Sequence, residues 1–297
     1  KRHWSSRLPM GAWLGRRLVN PCVSQPRRSA TARSRWTCVG RSVPAISGLA
    51  QSVGRRSAAA EISQIGPATP DHMLRTKRIP LFVKIPTKAL ESLTESELIK
   101  QIENYAKAHE RYYHKYKSLL PQPMPAMLDP YPKVILIPGI GMIASGKDLK
   151  SAEIVSEIYE HSVSVMINAS SIDSYSSLSE KLAFEMDYWP MELYKLSLAP
   201  KEAEFSRRVG LVTGAARGIG RAIAEKLAAQ GAHVFLSDLK REEVKKAAQE
   251  INQKVKAGKA FAVELDVTKS TNVKAAVDEI ILKCGGIDFL VSNAGVA

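Results

Sequence analysis

From Val209 onward the chain alternates short apolar runs with longer amphipathic stretches. VGLVT at 209–213 leads through three glycines into a helical pattern from Gly220 to Gln230, and HVFLSD at 233–238 leads into another over Arg241–Val255. AFAVELD at 260–266 is followed by a helical pattern over about Ser270–Lys283, and IDFLVSNAG at 287–295 ends the series. Short apolar runs separated by helices of this length predict a parallel sheet with right-handed crossovers. Upstream, residues 94–119 predict one long helix, and Pro121 to Pro132 predicts a linker. VILIPGIGMIASGKD at 134–148 predicts strand, turn, strand and turn before a helix from Leu149. Gly66 to Pro86 is punctuated by prolines, which push their neighbours away from helix, and is expected to be extended. Residues 1–60 show no sustained period and predict no packed unit.

The turn after the 209–213 run carries the first chemistry. Gly214, Gly218 and Gly220 permit a sharp turn, leave room for a pyrophosphate and allow close packing of helix on strand. The helix that follows offers free N–H groups and the positive end of its dipole to phosphate. A glycine triplet alone reads equally well as a turn with no ligand. Asp238, eighteen residues past Gly220, is an acid at the end of the next predicted strand, where it can hold a ribose hydroxyl. Gly214, Asp238, Asp266 and Asn293 would all gather at the carboxyl ends of the strands.

Charge divides the chain unevenly. Residues 1–60 hold twelve of its 43 Lys and Arg and no acid, which leaves 31 basic against 29 acidic residues elsewhere. The net charge of +14 therefore implies no nucleic-acid face on the folded part. For residues 1–60 three readings stand: a transit peptide, a basic arm, or sequence that is not in the natural frame. The domains expected are 1–60 without structure, 61–204 and 205–297. Cys22, Cys38 and Cys284 show no paired spacing, so neither a disulfide framework nor a zinc knuckle is expected, and a reducing, cytoplasmic compartment fits. No run has the length of a membrane span, so no membrane partner is expected.

Two further patterns are weighed and set aside. His109 and His114 lie five residues apart on the predicted 94–119 helix, on different faces among charges, and read as solvated. Gly141 to Lys147 has the spacing of a phosphate-binding loop, but Met142, Ile143 and Ala144 read as strand and Asp148 stands where a hydroxyl should meet magnesium.

TGAARGIG at 213–220, the acid Asp238, the Asp266–Val267 pair and Asn293-Ala294-Gly295 together resemble the short-chain dehydrogenase/reductase family over residues 205–297. The resemblance implies a Rossmann-type doubly wound α/β sheet holding a nicotinamide dinucleotide. Gly214, Arg217, Gly218, Ile219 and Gly220 would surround the pyrophosphate, with Asp238 and Leu239 at the adenosine ribose. Asp266 and Val267 would lie by the adenine, and Asn293, Ala294 and Gly295 beside the nicotinamide ribose. Asp238 implies NAD over NADP, since a carboxylate repels a 2′-phosphate, although Lys240 and Arg241 follow it.

Residues 134–166 resemble the last hairpin and helix of the class II aldolases, an α/β fold in which histidines hold zinc. That family carries Asn-His-Gly in the turn, where this chain has Gly139, Ile140 and Gly141. With TPDH at 69–72 and FEMDYWPMELYKL at 184–196, residues 61–297 resemble the bifunctional rhamnulose-1-phosphate aldolase/short-chain dehydrogenase group. The resemblance implies cleavage of a sugar phosphate to dihydroxyacetone phosphate and lactaldehyde, with the aldehyde then oxidised by NAD. The customary His-x-His pair is not found upstream of Glu61, so His72 is the one candidate zinc ligand and the chain is expected not to hold zinc tightly. His161 reads as a packing or capping residue.

The family's catalytic Tyr-x-x-x-Lys is expected downstream of Ala297, and Tyr188, Tyr194 and Lys195 lack its spacing, so the chain by itself is expected to be silent. The partners implied are a small-molecule substrate and, in the full-length protein, further copies of itself. The competing reading is a non-catalytic dinucleotide-binding or scaffold protein.

Overall fold

The computed structural model describes residues 37–41, 56–85, 93–138, 141–198, 202–255 and 259–295. The expectations for residues 1–36 and 42–55, and for the Gly139–Ile140 turn, lie outside the described residues. Contacts divide the described chain into two compact units, one built on Val39–Pro200 and the other on Lys201–Ala297.

In the first unit a four-stranded sheet has the order β1 (Thr37–Arg41), β4 (Gly141–Gly146), β3 (Val134–Ile137), β2 (Leu81–Phe82). β3 and β4 form the expected antiparallel hairpin, with Val134 opposite Ala144 and Ile137 opposite Gly141. Gly141–Gly146 is therefore strand, not a phosphate-binding loop. Helix α4 (Leu149–Ile172), capped by Asp148 through the Ser151 N–H at 2.8 Å, packs Val155, Tyr159 and Val163 on Val134, Leu136, Met142 and Ala144. Its apolar residues four apart lie on one face, which is why a single helix covers this hairpin.

Two expectations are corrected at the start of this unit. Thr37–Arg41, inside the stretch expected to form no packed unit, is an edge strand; an edge asks for only one row of backbone bonds, which a short run such as TCVGR supplies. Helix α1 (Arg56–Ser63) also begins before residue 61 and brings Ala59 into the core, its RSAAAEIS sequence being rich in the strongest helix former. The segment Gly66–Pro86 is not extended throughout: Pro70–His72 is a 3-10 turn continuing into α2 (Met73–Thr76), with proline at the first helical position.

Helix α3 (Glu95–Tyr116) starts at a capping box, Thr94 accepting from the Glu97 N–H while the Glu97 carboxylate accepts from the Thr94 N–H. Such caps contribute about 1 kcal/mol. Its far end packs Tyr112 and Tyr113 with Phe184 and Tyr188 around α5 (Glu180–Asp187), and α6 (Pro190–Ser197) follows. Pro121 to Pro132 forms no helix or strand, as its prolines predict.

The second unit is a parallel sheet in the order β7 (Ala260–Glu264), β6 (His233–Asp238), β5 (Val209–Thr213), β8 (Phe289–Val291). Val212, Val234 and Leu236 face α7 (Gly218–Ala229) and α8 (Arg241–Val255), whose Ala224, Ala228, Val244 and Ile251 complete one core. Val209, Leu211 and Phe235 face the other way, against Ala276 and Ile280 of α9 (Ser270–Cys284). Apolar residues on both faces of a strand are the reason its sequence reads as an unbroken run. The sheet is doubly wound, and all four carboxyl ends open on one edge.

Candidate functional site

Along that edge, β5 passes at Thr213 into Gly214, whose φ of +64° belongs to the left-handed region. A Cβ there would stand 2.9 Å from the Ala294 Cα. Gly220 has another duty: a Cβ on it would meet the Gly214 carbonyl and come 2.5 Å from Asn293 Nδ2, so it lets the start of α7 touch the turn. Gly218, at φ +61°, has open space where a Cβ would be. Arg217 at the N-cap makes no side-chain bond to the helix, so its side chain does not occupy the first N–H groups of α7.

Asp238, at the end of β6, accepts from the Ala216 N–H at 3.3 Å and from the Leu239 N–H at 2.9 Å. It thereby fastens the glycine turn to the neighbouring strand. The two cations after it face acids: Lys240 pairs with Glu243 at 2.9 Å and Arg241 approaches Glu264 at 3.9 Å. Asp266, beyond β7, accepts from the Thr268 hydroxyl at 2.6 Å, pairs with Lys269 at 3.0 Å and accepts from the Thr268 N–H at 3.0 Å. These donors hold its carboxyl down at about 2. Asn293, beyond β8, donates through Nδ2 to the Thr213 and Gly214 carbonyls, each at 3.0 Å. Ala294 N–H is held by Thr213 Oγ1 at 3.0 Å, and a Cβ on Gly295 would meet nothing.

Three large apolar side chains at this edge stay uncovered: Ile219 at 74 %, Leu239 at 65 % and Val267 at 46 % exposure. Uncovered apolar groups around convergent polar ones are what a flat, partly apolar ligand would cover. The open space at Gly218, the bare start of α7 and the placed Asp238 fit a dinucleotide, with pyrophosphate at the helix and ribose at the acid.

In the other unit His72 Nδ1 lies 3.1 Å from Ser162 Oγ, and its ring meets His161 edge-on with centroids 6.1 Å apart. Burial lowers the His72 pKa, and the charge of His161 lowers it further, against a smaller effect of Asp71. His161 is exposed and faces His72, not a helix end. Among the described residues no three His, Cys, Asp or Glu side chains gather where they could hold a metal, so these residues do not fit a zinc centre. The expectation for His109 is corrected. Its Nε2 is out of solvent with no bonding partner, and burial pulls its pKa to about 3, because that side of α3 turns inward above Tyr112. His114 is exposed, as expected.

The surroundings of His109 leave no local mark in the sequence. Lys77, in a basic run, and Asp187, in an aromatic one, look like surface residues, yet burial draws the Lys77 ammonium down to about 7 and pushes the Asp187 carboxyl up to about 6.

A doubly wound sheet whose glycine turn, strand-end acid and asparagine latch share one edge defines a dinucleotide-binding oxidoreductase unit. Comparison with known proteins agrees. Residues 208–297 match the short chain dehydrogenase family, and residues 33–196 match the second domain of class II aldolase. The chain belongs to the class II aldolase family, joined to a short-chain dehydrogenase segment as an aldolase/dehydrogenase fusion.

A Bacillus subtilis protein described as an uncharacterized oxidoreductase, YuxG, is 41 % identical over 237 residues, covering 80 % of this chain and 34 % of its own length. An L-2,3-butanediol dehydrogenase of Corynebacterium glutamicum is 48 % identical over 91 residues, covering 30 % of this chain and 35 % of its own. The chain thus spans about a third of the length of these relatives. A hydroxysteroid dehydrogenase structure from Escherichia coli shares 37 % identity over 31 % of this chain and 38 % of its own, with a TM-score of 0.30. The dehydrogenase segment implies a nicotinamide dinucleotide. No helix among the described residues is long and apolar enough to cross a membrane.

Proposed function

We propose that this chain contributes to both units of a fusion enzyme that cleaves rhamnulose 1-phosphate to dihydroxyacetone phosphate and lactaldehyde and then oxidises the lactaldehyde with NAD. The observation that carries it is the succession of an aldolase segment and a dehydrogenase segment in one chain. Bound NAD supplies the hydride acceptor. This chain's part in that step is to seat it: the N–H groups of α7 take the pyrophosphate, Asp238 accepts from a ribose hydroxyl, and Asn293 keeps the turn closed beside the nicotinamide. Glu243 and Glu264 stand beside Lys240 and Arg241, which supports the reading that Asp238 disfavours a 2′-phosphate. No residue of this chain is assigned the proton transfer of hydride transfer, and no zinc step is drawn through His72. The aldolase product is the dehydrogenase substrate, which gives the fusion its chemical sense.

The test is the full-length gene product mixed with rhamnulose 1-phosphate and NAD. The expected result is dihydroxyacetone phosphate, lactate and NADH in equal amounts. Binding of NADH without turnover of this sugar phosphate would overturn the substrate and leave the dinucleotide site standing.

A further inference from the structure

In the Val39–Pro200 unit, helices α5 and α6 follow one another with only Tyr188 and Trp189 between them, and both lean on one aromatic core. Phe184 and Tyr188 are buried in that core, and Leu193 of α6 packs against it. The outward faces of the two helices are apolar as well. Leu182 and Trp189 stand seven residues apart, on the side of α5 away from Phe184. On α6, Met191, Tyr194 and Leu198 recur at three and four residues on one face, and the Leu198 N–H continues the helical bonding to the Tyr194 carbonyl at 3.2 Å. These five side chains are 47–62 % exposed. A helix that is apolar on both sides is one that something covers.

Area and charge say what covers it. Large side chains of about 200 Å² each, half left in water, amount here to on the order of 500 Å² of apolar surface, the upper end of what a monomer leaves in one patch. One side of a standard protein interface buries about 800 Å², about 60 % of it apolar, so this face supplies the apolar share of one side. Around it stand three lysines and three glutamates, joined as Lys115–Glu180 at 2.6 Å, Lys181–Glu185 at 3.9 Å and Lys195–Glu192. A rim of one sign would repel its own image and call for an oppositely charged partner. A balanced rim meets its own image without net repulsion, because each lysine finds glutamates on the other copy.

We propose that the outward face of α5 and α6 is a two-fold interface at which a second copy of this chain docks. Met191 and Leu198 form the apolar middle of the contact, Trp189 supplies its large aromatic anchor, and the lysines and glutamates close the rim. A two-fold contact uses the same face on both copies, so a patch of this size is covered twice in one event and no further partner is needed. The rim pairs are exposed and loosely held within one copy, which leaves them free to be exchanged between copies.

The experiment is sedimentation velocity of the chain over a wide range of concentration, with hydroxyl-radical footprinting of the same samples read by peptide mass spectrometry. A concentration-dependent monomer–dimer equilibrium is expected. Oxidation of Trp189, Met191 and Leu198 should fall severalfold as dimer forms, while Ile219 on the dinucleotide edge stays as reactive as before. Met191→Glu puts a charge in the middle of the face and should give a folded monomer at every concentration, since that side chain already meets water. An acidic variant, Lys181→Glu with Lys195→Glu, and a basic one, Glu185→Lys with Glu192→Lys, should each stay monomeric alone and form dimers when mixed. Loss of ion pairs within one copy would not produce that recovery. A wild type that stays monomeric throughout, a dimer that leaves Met191 reactive, Met191 already protected in the monomer, or charge variants that remain apart when mixed would each overturn the proposal. Should Met191→Glu fail to fold, the wild-type footprint and the mixing experiment still decide it.

Discussion

Thr213 and Asn293 hold each other reciprocally: Thr213 Oγ1 accepts from the Asn293 N–H at 3.0 Å while Asn293 Nδ2 donates to the Thr213 carbonyl at 3.0 Å. The pair closes the gap between the ends of β5 and β8, and the Thr213 hydroxyl also takes the Ala294 N–H. Thr213→Val keeps the shape of the side chain but leaves two N–H groups without their acceptor. It should cost about 1–3 kcal/mol and weaken NADH binding, measured by denaturant unfolding and by fluorescence titration. Thr213→Ser should restore most of both.

The glycines of the turn should separate by mechanism. Gly220→Ala puts a methyl against the Gly214 carbonyl and Asn293 Nδ2, backbone and a latched amide that have no room to move. A loss of about 1–3 kcal/mol is expected from this overpacking. Gly218→Ala meets open space and bears only the cost of its φ of +61°, about 1–2 kcal/mol. Its larger effect should fall on pyrophosphate binding. Equal loss of stability in both variants, with dinucleotide affinity unchanged in Gly218→Ala, would contradict this division.

Stability of the Val39–Pro200 unit should depend on pH through Lys77 and Asp187. Lys77 is drawn down to about 7 in the folded state, so between there and its ordinary range near 10.5 the unfolded chain binds more protons and stability rises with pH. Asp187 is pushed up to about 6 from 3.8, so the folded chain binds more protons in between and stability falls as pH rises through that window. His109, drawn down to about 3 from 6.5, acts in the opposite sense over the Asp187 window, so stability should be nearly level below pH 6 and rise above pH 7 by on the order of a few kcal/mol. Arg78, Asp129, Lys133, His109 and Tyr112 also face this pair. Urea unfolding at pH 5, 6.5 and 9 checks the curve. Lys77→Met should flatten the alkaline rise, and Asp187→Asn should leave the His109 contribution unopposed, so that stability climbs with pH below 6.

Zinc gives a negative prediction. With Ser162 on His72 Nδ1 and no third donor gathered among the described residues, the chain should lose zinc to a mild chelator. Metal analysis after dialysis checks this. One equivalent retained in the wild type and lost in His72→Ala would reverse it.

Much of the dehydrogenase unit was legible in the sequence because its signals are local. Strand runs, glycines at fixed spacing and acids at strand ends need no knowledge of distant partners, whereas the order of the strands comes from the fold. The 94–119 helix was legible for the same reason, its helical pattern lying within one local stretch, and its Thr94–Glu97 cap came with the fold. Lys77, His109 and Asp187 were not. Each carries a residue type that is usually solvated, and their burial comes from contacts tens of residues apart, such as Tyr112 with Asp187. The edge strand Thr37–Arg41 was hidden likewise, because an edge needs backbone bonds and not a pattern of side chains. Lys240 and Arg241 show the limit from the other side. Sequence placed both beside Asp238, and only the fold shows that Glu243 and Glu264 stand against them.

The most direct measurement is a titration of the chain with NADH and NADPH, followed by nicotinamide fluorescence, in the wild type and in Asp238→Ala. In the proposed seat Asp238 accepts from a ribose hydroxyl, and a hydrogen bond to a charged group contributes about 1.5–3 kcal/mol. The wild type should therefore bind NADH at least about tenfold more tightly than NADPH, since about 1.4 kcal/mol is a factor of ten. Asp238→Ala should weaken NADH and strengthen NADPH until the two are alike. Binding of neither dinucleotide by a folded chain, or a preference that Asp238→Ala leaves unchanged, would contradict the assignment of this edge as the cofactor site.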